Sequence, residues 1–176
     1  ASHWATFHNA LGSGSELYFD LTQGATNSNF WVSSPTSSVF TVSAADYVNE
    51  ASNTYIAYCF SEVSSYSKFG SYKGNGNADG TFVYTGFRPA WVMWKNASAA
   101  TVWIIFDAVR ETFNFLDAQL RPNENSAENI AGSSYSMDFL ANGFKVRSSD
   151  SNFNGNGNNI IYFAFAESPF KNARAR

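Results

Sequence analysis

The chain has 176 residues and a formal net charge of −3, with 44% apolar, 18% aromatic and only 14% charged residues. So many rings exclude a disordered chain, which is poor in aromatics and rich in charge. The weak, slightly acidic balance argues against a nucleic-acid partner held through phosphates. No run of about 18 apolar residues exists, so no membrane span is expected, and nothing at the N-terminus has the pattern of a signal peptide.

Taken in chain order, the signals are those of β-structure. Short runs rich in Val, Ile, Thr, Phe, Tyr and Trp alternate with Gly, Asn and Ser clusters, and predict strands over residues 3–8, 17–21, 39–42, 54–60, 81–85, 90–95, 102–107, 143–147 and 159–165. In Phe82-Val83-Tyr84 and Trp91-Val92-Met93-Trp94 both strand faces carry large residues, as in strands covered on two sides. Helical signal is confined to single turns at residues 108–115 and 136–141. Asn75-Gly76, Asp79-Gly80, Asn142-Gly143, Asn154-Gly155 and Asn156-Gly157 supply turn residues that tolerate positive φ. Residues 152–158 read as a long hairpin tip. The expected fold class is all-β, of antiparallel sandwich or jelly-roll type.

The chain also resembles itself. Residues 53–62, NTYIAYCFSE, match residues 158–167, NIIYFAFAE preceded by Asn158, without a gap. Val39-Phe40-Thr41-Val42 matches Gly143-Phe144-Lys145-Val146, and Trp4-Ala5-Thr6-Phe7 matches Trp103-Ile104-Ile105-Phe106. The offset drifts only from 99 to 105 residues, which loop insertions accommodate. The expectation is two repeated β units, residues 1–68 and 69–176, the first lacking about 30 residues of opening strands by the same offset. Those strands are expected from upstream residues or from a neighbouring subunit.

Candidate chemistry is sparse. The only cysteine, Cys59, excludes an internal disulfide and reads as a small buried hydrophobe in a strand. His3 and His8, five apart in an extended segment, point to opposite faces and make no two-histidine metal site. Glu62 and Glu167 are repeat equivalents, which favours a structural task such as accepting turn N–H groups. Asp107, Glu111 and Asp117 flank Phe113-Asn114-Phe115; they could form an acid/base cluster, but solvated loop carboxylates are the simpler reading. Asn75-Gly76-Asn77-Ala78-Asp79-Gly80 has the oxygen spacing of half a calcium loop without its closing Glu, so a plain turn is expected. Neither a catalytic set, a metal site nor a cofactor is expected. Phe30, Trp31, Phe113, Phe115 and Phe153 lie in or near polar loops and are the candidates for glycan or interface contacts, against the alternative that they plug the sandwich or an assembly interface.

Several longer motifs carry a family resemblance. They are Tyr66-Ser67-Lys68-Phe69-Gly70-Ser71-Tyr72-Lys73-Gly74-Asn75-Gly76, Gly86-Phe87-Arg88-Pro89-Ala90-Trp91-Val92-Met93-Trp94-Lys95, Asn142-Gly143-Phe144-Lys145-Val146-Arg147, the stretch Tyr162-Phe163-Ala164-Phe165-Ala166-Glu167-Ser168-Pro169-Phe170-Lys171, and Pro35-Thr36-Ser37-Ser38-Val39-Phe40-Thr41. Over nearly its whole length the chain resembles a duplicated β-domain family of tailed bacteriophages and prophages, particularly marine ones. The resemblance implies a virion structural protein, a tail-fibre or appendage component that contributes to host-surface attachment. A capsid decoration or head-fibre protein, a glycan-binding module and a virion glycan depolymerase are the alternatives. It further implies a homo-oligomer, a trimer being possible, other virion proteins as partners, a host-surface glycan as ligand, and neither nucleic acid nor membrane insertion. No catalytic residues carry over.

Overall fold

The computed structural model describes residues 3–128 and 134–168. Two antiparallel sheets dominate it. The larger is built from β3 (Ser67–Lys73), β5 (Trp91–Asn96), β6 (Ile104–Asp107) and β9 (Asn159–Phe165), in the spatial order β3-β9-β5-β6. The smaller has β4 (Phe82–Tyr84), β7 (Met137–Leu140) and β8 (Gly143–Val146), in the order β4-β8-β7. A two-stranded ribbon, β1 (Ala5–Thr6) with β2 (Leu17–Tyr18), and two single-turn helices, α1 (Asp46–Asn49) and α2 (Ser151–Asn154), complete the regular structure, with a 3-10 turn at Asn9–Leu11. The all-β expectation holds.

The period-2 geometry of a strand sorts the side chains of the large sheet. Val92 and Trp94 of β5, Ile104 and Phe106 of β6, and Ile160, Tyr162 and Ala164 of β9 turn inward and meet Val83, Phe139, Phe144 and Val146 of the small sheet. Phe153 of α2 plugs this core, its ring centroid 4.3 Å from that of Trp94. Each such side chain contributes about 1.5–3 kcal/mol on burial. The alternate residues, Met93, Trp103 and Ile161, lie on the opposite face and are also buried, against Leu17, Leu11, Phe19 and Ala25 of the N-terminal segment. Trp103 Nε1 donates to Tyr18 O at 2.9 Å, and the Ala25 and Thr101 amides bond Ala97 O and Thr22 O. The large sheet is thus covered on two sides, which explains why β5 is apolar on both faces. Phe82-Val83-Tyr84 differs: only Val83 is buried, and Phe82 and Tyr84 face outward.

Several sequence expectations are corrected. Residues 136–141 hold β7, not a helical turn; Asp138 sits opposite Lys145 and binds Arg147 Nε at 2.6 Å, so the charge that blurs its pattern is paired on the neighbouring strand. Residues 152–158 are not a bare hairpin tip, since 152–154 belong to α2. Gly143 serves close approach and has no positive φ, since a Cβ there would stand 2.1 Å from Val83 O. Gly76 and Gly157 do take positive φ, as the turn reading expects. Residues 39–42 form only a single bridge, Trp31 with Val42, and residues 54–60 form no strand. Cys59, expected inside, is exposed. The self-matching segments occupy different settings: Trp103 is fully buried whereas Trp4 is 52% exposed against Tyr58, and residues 158–167 hold the central strand β9 whereas residues 53–62 form no strand.

Candidate functional site

The most distinctive surface feature grows from the end of β6. Asp107 closes the strand and starts a turn, its Oδ1 accepting from the Val109 and Arg110 amides at 3.1 and 2.9 Å while its Oδ2 pairs with Arg110 Nε. Arg110 also reaches Glu128, and its positive charge with these hydrogen bonds holds Asp107 below the usual carboxylate range, against the opposing effect of burial. The chain then crosses from one sheet edge to the other. Leu116 pairs with Met137 beside the small sheet and Leu120 pairs with Ile105 beside the large one. Glu111 fastens the crossing by accepting from the Asp117 and Ala118 amides at 2.8 and 2.6 Å.

Asn114 acts as an artificial strand residue. Its Nδ2 donates to Phe139 O at 3.0 Å and its Oδ1 accepts from Phe139 N at 2.9 Å, the two-way exchange that a backbone would make with the open edge of β7. Clamped there, Asn114 holds its neighbours out: Phe113 is 84% exposed and Phe115 59%; Val109, in the turn capped by Asp107, is 84% exposed. A shallow depression of about 220 Å³ opens beside Val109, lined by Arg88, Pro89, Ala108, Thr112 and Glu167. Glu111 is raised in pKa, first by burial and then by the adjoining Asp117 carboxyl. Its Oε2 accepts from both backbone amides, so Glu111 acts as a fastener for the loop. A loop fastened at Asn114 and Glu111, with two bare rings beside amide and carboxylate groups, can stack on a flat apolar face and hydrogen-bond around it.

The other sequence candidates go elsewhere. Phe30 is buried beneath Tyr18 and Tyr47, and Phe153 is fully buried in the main core, so neither is presented to a partner. Trp31 is half-buried between Phe7 and Phe40. His3 pairs with Asp20 at 2.7 Å, remote in role from His8, which caps the 3-10 turn. Asn75, Asn77 and Asp79 are satisfied by their own turn: the Asn77 and Asp79 amides donate to Asn75 Oδ1 and Asn77 Oδ1, the buried Asn154 amide donates to Asn75 Oδ1, and Asp79 pairs with Lys145 at 2.6 Å. Among the described residues no group of His, Cys, Asp and Glu is placed to hold a metal, and no helix is long and apolar enough to cross a membrane. Glu62 does accept an N–H, from Phe69 at 3.2 Å. The Asn114 clamp escaped sequence reasoning, because one Asn between two Phe carries no periodic signal.

The architecture defines a β-sandwich protein with one sheet covered twice. The chain belongs to the family described as Domain of unknown function (DUF7483), whose model matches residues 1–169. No curated protein and no solved structure matches it.

Proposed function

We propose that the protein is a non-catalytic structural component of a bacteriophage virion, of tail-fibre or appendage type, that helps attach the particle to a host surface. The observation that carries the contact role is the loop around Asn114, which holds Phe113 and Phe115 in solvent on a clamped backbone. Large exposed apolar side chains on a fixed loop mark a contact surface, and pre-organisation removes the ordering cost of binding. The virion setting follows from the sequence resemblance alone. Low charge and an all-β scaffold with its large sheet covered on both faces suit a durable particle component.

Two measurements test this reading. Antibodies raised against the chain should decorate purified phage particles at the tail or its appendages; labelling of the head would favour the decoration-protein alternative, and absence of labelling would remove the virion assignment. Incubation with host surface polysaccharide should release no oligosaccharides. Release that is lost in Asp117→Asn would make the protein a depolymerase instead.

A further inference from the structure

The depression beside Val109 combines a fixed wall with an unpaired charge. Its wall continues the ladder of the large sheet: the Ala90 amide donates to Phe165 O and the Ala108 amide to Ala90 O, both at 2.8 Å. The ends of β9, β5 and β6 are therefore joined there. Pro89, Ala108 and Val109 give the depression apolar surface, Thr112 a hydroxyl, and Arg88 and Glu167 opposite charges.

Arg88 is the exception among the arginines of the described residues. Arg110, Arg121 and Arg147 each bind a carboxylate. The half-buried Arg88 makes no side-chain hydrogen bond or ion pair with any described residue, although Glu167 lines the same depression. A guanidinium offers N–H donors in a planar fork that matches a carboxylate with two parallel bonds. Arg88 is also the one basic residue among the described residues of the lining. A single cation suits a singly charged carboxylate better than a doubly charged phosphate.

The remaining features fit a sugar. At about 220 Å³ the depression is smaller than the about 300–1,000 Å³ of sites for drug-sized ligands, and so takes a single ring. Aromatic surface adjoins it. The Phe165 ring centroid lies 5.6–6.1 Å from those of Trp91, Phe69, Tyr66 and Phe60, of which Phe60 is exposed and the others half-buried. Trp91 directly follows Ala90, and the two residues from Phe165 to Glu167 span at most about 7 Å. Apolar faces, aromatic rings and a hydroxyl together recognise the C–H face and the hydroxyls of a sugar, and Arg88 adds a demand for an acid.

We propose that the depression binds a uronic acid unit of a surface glycan, with Arg88 holding the sugar carboxylate and the ring lying against Pro89 and Val109. The inference rests on the contact reading of the adjoining Asn114 loop and names the ligand class for that end of the molecule.

The test is an NMR titration of the isotope-labelled chain with trisaccharides of galacturonate, glucuronate and mannuronate, beside their methyl esters, the neutral galactose trisaccharide and inorganic phosphate. The expected result is saturable shifts at the Val109 and Thr112 amides with at least one uronate. The methyl ester keeps the shape and loses the charge, so it should bind at least about tenfold more weakly, as a lost charge-assisted bond requires. Arg88→Gln should lose the same factor without moving the unfolding midpoint, because Arg88 bonds no described residue; added salt should weaken the wild type. Silence of these amides with all the uronates overturns the proposal. So does an ester, neutral sugar or phosphate that binds as tightly as the acid, or Arg88→Gln that titrates as wild type. Those failures leave untouched any loss of host-cell binding in Phe113→Ser, Phe115→Ser. Failure of the contact reading appears instead as undiminished cell binding in that double variant, while the uronate titration still depends on Arg88.

Discussion

His8 shows how a single side chain ties the N-terminal segment to the sheet. Its Nδ1 accepts from the Ala10 amide at 3.2 Å, which leaves Nε2–H to donate to Tyr162 O at 3.3 Å, on β9. The neutral ring is required, and burial lowers its pKa. The unfolded chain therefore takes up the proton more readily, and stability falls as pH drops below about 6.5. Thermal melts at successive pH values should show this loss, and His8→Asn, which keeps a cap and removes the titration, should flatten it. Lys95 contributes in the same direction at the alkaline end. It is wholly buried, its Nζ donating to Asn96 O, Ala99 O and Thr101 Oγ1 at 2.8–3.3 Å, and burial pulls its pKa down to about 8. Between about 8 and 10.5 the unfolded chain holds a proton that the folded chain has lost, so stability rises with pH by about 1–3 kcal/mol. Denaturant titrations at pH 7.5 and 10 should give that rise in the wild type and a smaller one in Lys95→Met.

At the scale of elements, the crossing loop depends on Asn114. Asn114→Ala removes both bonds to Phe139 and leaves the buried β7 backbone unpaired, which costs about 1–3 kcal/mol. Denaturant unfolding measures the loss, and amide exchange at Phe139 should accelerate in the variant. β5, β6 and β9 of the large sheet were legible because β-branched and aromatic residues fill short runs bounded by turn residues, whereas β3 (Ser67–Lys73), rich in Ser, Lys and Gly, was not among the predicted strands. β7 was not, since Met137, Asp138 and Phe139 are all buried and no alternation remains to read. Residues 54–60 fail in the opposite way. Their composition is that of a strand, but a strand exists only where a partner supplies its hydrogen bonds, and none does within the described chain. Phe153 and Phe30 illustrate the same limit for the site. A ring set among Asn and Ser reads as exposed, yet α2 turns Phe153 into the core and Tyr47 stacks over Phe30. Phe113 and Phe115 carry the same local signature and are the ones left outside.

For the whole molecule, stability depends on covering the second face of the large sheet as well as filling the sandwich. Leu17 is the centre of that cover, wholly buried with Met93, Trp103 and Ile161. Leu17→Ala should cost about 2–5 kcal/mol, and tryptophan fluorescence during denaturation should register it through Trp103. The same scaffold carries the Asn114 loop, whose rings are the basis of the proposed contact role. The most direct test of that role is the affinity of the purified chain for intact cells of a susceptible host, compared with that of the double variant Phe113→Ser, Phe115→Ser. Two exposed hot-spot rings are worth on the order of 2 kcal/mol or more, so the account predicts saturable binding by the wild type and at least about a thirtyfold loss in the variant, with unchanged unfolding. Equal binding by the two proteins, or no binding by either, would contradict it.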